Sequence, residues 1–179
     1  IAGGQTMNPS TEDLLKAVEE IDAENIFILP NNSNIIMTAN QVKDLCDKNI
    51  IVIPTKSIPQ GISAMLEFDP SRDVEELSNR MLEAINSVKT IMITYSVRDS
   101  VFNSFTIKKG DIIGIYEGDI VSVGNDIENV TKDALDKLME DGDYEILTMY
   151  YGNEIEEEKA NSIINNIRET YPDLDVEMY

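Results

Sequence analysis

Asn25-Ile26-Phe27-Ile28-Leu29-Pro30, followed by Asn31-Asn32-Ser33-Asn34, is the stretch that decides the fold. A short apolar run rich in β-formers and closed by proline reads as a strand buried on both faces. The polar loop after it leads into Ile35, Ala39, Val42 and Cys46, which recur at helical spacing. The unit then returns. Ile50-Ile51-Val52-Ile53-Pro54 is a second apolar strand closed by proline, Thr55-Lys56-Ser57 a second polar loop, and residues 59–68 a second helix. Two strand–loop–helix units in tandem predict a parallel sheet with right-handed crossovers.

Working outward, Ser10-Thr11-Glu12-Asp13 has the form of a capped helix start. Leu14, Leu15, Val18 and Ile21 continue it, so a first helix is expected over 11–21. A longer helix is expected over 73–88, with Val74, Leu77, Met81, Ile85 and Val88 on one face. The pattern changes near residue 90. Thr90 to Tyr95 reads as a strand, Val101 to Ile107 alternates roughly, and Lys109-Gly110-Asp111 reads as a turn. Ile112–Tyr116 and Asp119–Val123, joined by Glu117-Gly118, read as a hairpin. A helix over 127–139 follows, then strand 144–150, helix 154–171 and strand 175–179. The fold class is therefore α/β: a parallel βα front half, 1–89, and a β-rich mixed-sheet back half, 90–179, with covering helices. The boundary is soft, over 89–110, and the halves can equally form one continuous domain.

Composition narrows the function. Of 179 residues, 42% are hydrophobic and 27% charged, the profile of a folded globular chain. No apolar run has the length of a membrane-spanning helix. The first residues carry no signal-peptide pattern, and the missing initiating Met suggests a fragment of a longer chain. The lone Cys46 cannot close an internal disulfide, so a cytoplasmic setting is expected. Beside Leu45, Val42 and Ala39 it is expected as a buried core thiol. There is no histidine, which removes a Ser-His-Asp triad and any His-bearing metal site built from this chain alone. The net charge of −20, from 34 acidic and 14 basic residues, opposes nucleic acid and anionic membrane and favours a basic partner surface. The plainer reading of that charge is solubility.

In open parallel sheets ligands collect beyond the carboxyl ends of the strands. The loops expected there are polar: Asn31-Asn32-Ser33-Asn34, Thr55-Lys56-Ser57 and, after a third strand, Ser96-Val97-Arg98-Asp99. Gly3-Gly4-Gln5-Thr6-Met7-Asn8-Pro9-Ser10 leads into a helix start, where free N–H groups attract anions. Candidate ligand- or partner-binding residues are Thr6, Asn8, Ser10, Asn31, Asn32, Ser33, Lys56, Ser57, Gln60 and Arg98. Taken singly, each piece reads first as a cap, a turn or an ordinary surface pair. Gly-Gly-Gln-Thr lacks the spacing of a phosphate loop. Glu154 to Glu158 suits a helix start, and Asp111 and Asp119 flank a hairpin as turn formers. No catalytic or metal-ligating residue is assigned.

Several long motifs occur in order: residues 3–11 (Gly-Gly-Gln-Thr-Met-Asn-Pro-Ser-Thr), Ile28 to Ile36, Val52 to Gly61, Val97-Arg98-Asp99, and Ile107 to Asp111. In order and spacing they resemble the C-terminal domain of the fatty acid kinase large (A) subunit, of the dihydroxyacetone-kinase-like or DAK phosphatase-like family. The resemblance covers essentially the whole chain. It implies a DegV-like fold and a parent protein whose N-terminal domain holds ATP and Mg, with no cofactor in this part. It implies that this domain docks a DegV-type fatty-acid-binding protein whose bound fatty acid the parent phosphorylates, and a parent that can be a homodimer. The family's sequence continues past residue 179, so an incomplete last strand is expected. The alternative is a lipid or acyl-phosphate binding module with a DegV-like pocket, which requires an apolar tunnel of roughly 300 Å³ or more. The bulky Ile-rich strands leave little obvious room for one. A self-sufficient phosphotransferase ranks last, because the sequence offers neither nucleotide loop nor clustered metal site.

Overall fold

β1 (Asn25–Ile28) and β2 (Asn49–Val52) lie side by side and parallel, Ile26 opposite Ile50 and Ile28 opposite Val52. This computed structural model describes residues 8–179. Successive side chains of a strand point to opposite faces, and helices cover both. On one face Ile26 and Ile50 join Leu14 and Val18 of α1 (Thr11–Glu19) and Ile35, Ala39 and Val42 of α2 (Ser33–Val42). In the other core Ile53 packs with Ala64 of α3 (Ile58–Leu66) and with Leu77, Met81 and Ile85 of α4 (Val74–Ser87). Phe27 and Ile51 border this second core. Double burial explains why both strands are unbroken apolar runs rather than alternating ones.

The helix starts follow their caps. Ser10 forms a reciprocal capping box with Asp13, Asn32 caps α2, Ser57 caps α3 with proline in the first turn, and Asp73 caps α4. The end of α2 departs from the sequence reading. The helix stops at Val42, where Lys43, Asp44 and Leu45 donate three residues back to Asn40, Gln41 and Val42. Such tightened bonds close a last turn. Cys46 therefore lies beyond the helix and is half-buried against the first core, not fully inside it. Its thiol faces the Val42 carbonyl oxygen at 3.7 Å. Lys48, just ahead of β2, donates to the carbonyls of Val18 (2.9 Å), Glu19 (3.2 Å) and Ile21. A cation thus closes the carboxyl end of α1, the end favoured by the helix dipole.

The chain divides into two compact units, Ile1–Thr90 and Ile91–Tyr179. In the second, β3 (Ile91–Tyr95) is followed by the short β4 (Ser100–Phe102) and β5 (Phe105–Ile107), then β6 (Ile112–Tyr116) and β7 (Asp119–Gly124). β3, β6 and β7 form an antiparallel sheet in that order, and β4 pairs with β5. The roughly alternating stretch 101–107 thus forms most of a hairpin. It reverses at Asn103, whose φ of 50° is a conformation asparagine tolerates. The β6–β7 turn has positive φ at both Glu117 and Gly118, as the twist of a two-residue hairpin requires.

α5 (Ile127–Met139) precedes β8 (Ile146–Met149), α6 (Glu157–Thr170) and β9 (Asp175–Met178), and β8 and β9 pair in parallel. Leu135 and Leu138 of α5 pack with Ile163, Ile164 and Ile167 of α6 and with Val176. Among the described residues, six helices with parallel and antiparallel sheets make this a mixed α/β fold.

Replacing Lys48 by Met keeps the apolar stem and removes the donor to three carbonyls. Charge-assisted hydrogen bonds of this type support a loss of roughly 1–3 kcal/mol. Urea unfolding of the variant and the parent chain measures it. An unchanged midpoint would mean that water satisfies those carbonyls equally well.

Candidate docking surface at the ends of the parallel strands

β1 and β2 end on the same edge of their sheet, and α2 and α3 begin there. The Asn32 side-chain oxygen accepts from the Asn34 N–H at 2.9 Å, and Ser57 Oγ accepts from the Gln60 N–H at 3.3 Å. Ser57 Oγ also lies 2.8 Å from Thr90 Oγ1. The loops are tied to each other through Thr55, which is wholly buried and accepts the Asn31 N–H on Oγ1 at 2.9 Å. Gln60 braces the second loop. Its side-chain oxygen accepts the Lys56 N–H at 2.8 Å, while its amide nitrogen donates to the Ile85 carbonyl of α4 at 3.3 Å.

Asn31 is the tightest point of the edge. Its φ is 54°, in the left-handed region. Its side-chain amide lies on Gly61 of α3 so closely that a Cβ there would stand 2.2 Å from Oδ1 and 2.8 Å from Cγ. Asn31 Oδ1 is buried with no hydrogen-bond partner. A glycine inside a helix ordinarily costs about 1 kcal/mol relative to alanine. Here it makes room for the asparagine.

The candidate residues divide into groups. Asn31, Asn32, Ser33, Lys56, Ser57 and Gln60 share this edge. Ser33 and Lys56 are exposed, and the Lys56 side chain makes no ion pair among the described residues. Asn8 and Ser10 stand elsewhere in the first unit. Thr11 Oγ1 donates to Gln41 Oε1 at 3.0 Å, so the start of α1 meets the last turn of α2, the opposite end from Asn32. Ser33 and Gln41 are about 12 Å apart along that helix. Ser10 is occupied as a cap: its N–H and hydroxyl lie 2.9 and 2.7 Å from Asp13 Oδ2. Bonds from the Ser10 side chain first, then its backbone, hold the Asp13 carboxyl below the ordinary carboxylate range. Arg98 belongs to the second unit and is exposed. Thr6 lies outside the described residues.

Sequence reasoning missed the outer face of α3. Ile58, Ile62, Met65 and Leu66 are 62%, 40%, 51% and 81% exposed, while Gly61 and Ala64 are the buried positions. A 58, 62, 65 spacing is what a core-facing stripe looks like in sequence. The distinguishing signal was that α3 is apolar on both sides, although a surface helix needs only one such face. The stretch Lys48–Leu66 also contains no acidic residue in a chain with 34 of them. In the second unit, a groove of about 20 Å³ runs between α5 and α6, lined by Thr131, Ile163, Ile167 and Tyr171 among others, far below the volume an acyl tunnel needs. Among the described residues, no group of three or more Cys, Asp or Glu could hold a metal ion, and no helix is long and apolar enough to cross a membrane.

Gly61→Ala should destabilise the chain by roughly 1–3 kcal/mol through overpacking against Asn31, reversing the gain alanine gives in most helices. Asn31→Gly in the same chain should recover most of that loss, since glycine keeps the positive φ and removes the amide. A double-mutant cycle in urea reads the coupling. Additive effects would show that the Asn31–Gly61 contact does not set the loop.

Relatives of known sequence share this chain from end to end. Protein YloV of Bacillus subtilis (strain 168) is 43% identical over 179 residues, 100% of this chain and 32% of the relative. Uncharacterized protein SAR1202 of Staphylococcus aureus (strain MRSA252) is 42% identical over the same span, again 32% of its length. The chain therefore spans about a third of the length of the curated relatives it matches. Its fold is similar to that of the Streptococcus pneumoniae Fatty Acid Kinase (Fak) B3 protein, solved loaded with linoleic acid. The TM-score is 0.65 at 18% identity, over 95% of this chain and 69% of that one. The profile of the FakA-like C-terminal family, the C-terminal region of fatty acid kinase A-type chains, matches residues 1–179, and the chain belongs to that family.

Proposed function

We propose that this chain is the docking domain of a fatty acid kinase. It engages a DegV-type, fatty-acid-carrying protein so that the longer parent can phosphorylate the bound fatty acid. In this reading ATP and Mg are held by the parent's N-terminal domain, and this part performs no chemistry alone. The observation that carries the proposal is the exposed stripe Ile58, Ile62, Met65 and Leu66 on α3. Contiguous apolar surface of this kind marks interaction sites, and anchors four, three and one residues apart suit a helix laid against a partner's groove. The stripe begins at the Ser57 cap, next to the exposed Lys56 and the Asn31–Ser33 loop. Apolar anchors bordered by polar loops match the build of a protein interface, an apolar centre with a polar rim.

A second reading, a lipid or acyl-phosphate binding module with a DegV-like pocket, draws support from the fold shared with the linoleic-acid-loaded B3 protein. The buried, unpartnered Asn31 Oδ1 gives it little, because that atom is packed against Gly61.

Calorimetric titration of the chain with a fatty-acid-loaded DegV-type protein, and separately with free fatty acid, tests both. Binding to the loaded protein alone is expected. Ile58→Glu with Leu66→Glu should weaken it at least about tenfold, since charge replaces anchors at the interface centre, with thermal stability unchanged. Undiminished affinity in that variant moves the interface elsewhere, and heat from free fatty acid favours the pocket reading.

A further inference from the structure

The second unit carries a feature that runs against the charge of the whole chain. After β3, residues 96–99 are clasped to the turn 108–111 by a set of backbone-directed bonds. Ser96 N–H donates to the Asp111 carbonyl and Gly110 N–H to the Ser96 carbonyl, both at 2.8 Å. The Ser96 side chain, 8% exposed, donates to the Arg98 carbonyl at 2.6 Å. Asp99 Oδ1 accepts the Lys109 N–H and Asp111 Oδ2 the Lys108 N–H, each at 2.8 Å. Both nearby carboxylates are thus engaged by main-chain amides.

The consequence concerns three cations. Arg98, Lys108 and Lys109 are exposed and make no ion pair among the described residues. Other cations are differently placed: Arg72, Arg80, Lys132, Lys137 and Lys159 each sit on a carboxylate. The segment 96–111 also carries two exposed valines, Val97 next to Arg98 in the chain and Val101 in β4, 66% and 75% exposed. Val101 lies at the centre of β4, whose one described partner is β5. Aliphatic side chains flanked by arginine and lysine on a backbone fixed in advance form a surface whose binding loses little ordering entropy.

From this geometry we infer that the 96–111 clasp and β4 form a second interaction surface, one that takes an acidic protein segment with interspersed apolar side chains. Charge decides the class of partner. The chain as a whole, at −20, repels an extended anionic surface such as a membrane, which meets all of its face at once. A short segment feels chiefly the charges within a Debye length, about 8 Å at physiological salt. Here those are the three unpaired cations together with the carboxylates of Asp99 and Asp111, which are held on main-chain amides, so the clasp keeps a local excess of positive charge. This surface belongs to the second unit and does not rest on the docking reading of the first.

The test uses the full chain and a fluorescein-labelled peptide of repeated Glu-Glu-Leu, followed by anisotropy at rising salt, with phosphatidylglycerol vesicles in parallel. Saturable peptide binding that weakens with salt is expected. Substituting Arg98, Lys108 and Lys109 together by Gln should reduce affinity at least about tenfold. Lys16→Gln with Lys43→Gln, two exposed cations of the first unit, should leave it unchanged. Circular dichroism and the thermal midpoint confirm that the clasp variant is folded, and Arg98→Gln alone, with a smaller loss, serves if it is not. Absence of peptide binding at low salt, equal loss in the Lys16/Lys43 variant, or vesicle binding in place of peptide binding would each overturn the inference.

Discussion

Burial of β1 and β2 on both faces is the constraint on which the first unit depends. A two-stranded parallel pair has little stability of its own, and helices on each side make this one viable. Ile26 and Ile50 belong to one core, Ile53 to the other. Each such side chain contributes about 1.5–3 kcal/mol when removed from water. Because the strands are parallel, every connection must return across a face, so the starts of α2 and α3 are delivered to one edge. The candidate surface is therefore a product of topology before it is a product of particular loop residues.

At that edge several side chains serve structure first. Asn32 and Ser57 cap helices, Gln60 holds a loop on α4, and Thr55 ties the two loops together. Asn31 combines a positive φ, a buried unpaired oxygen and contact with Gly61. Each has an energetic cost, and all three meet in one residue. The surrounding packing holds the loop in one shape, which is what a recognition surface requires of its backbone. What is left outward is Ser33, Lys56 and the apolar face of α3.

Charge is distributed with the same economy. Carboxylates fill first turns of helices, where the dipole favours them, as with Glu12 and Asp13 or Glu157 and Glu158. Lys48 closes α1 at the opposite pole. The acidic excess is absent from Lys48–Leu66, the segment that builds β2 and α3. Uniform repulsion over the whole surface would hinder any association, so an acid-free segment bearing exposed apolar residues is where contact costs least.

By itself the sequence determined the α/β class, the two βα units, the helix caps and the β6–β7 hairpin. These are local properties: apolar runs closed by proline, serine or asparagine before a periodic stretch, and a turn needing positive φ. The ordered motifs also carried the family resemblance. Tertiary structure alone decided the rest. That α2 stops at Val42 and leaves Cys46 half-buried depends on how the chain turns toward Lys48. That the Ser10 cap stands at the end of α1 where Thr11 meets Gln41, away from Asn31 and Asn32, depends on how α1 lies on α2. Which apolar side of α3 faces water could not be read from its residues, because both sides are apolar and only the positions of Ala64 and Gly61 against their neighbours choose between them. Periodicity reports that a face exists; packing against a distant element decides whether it is covered.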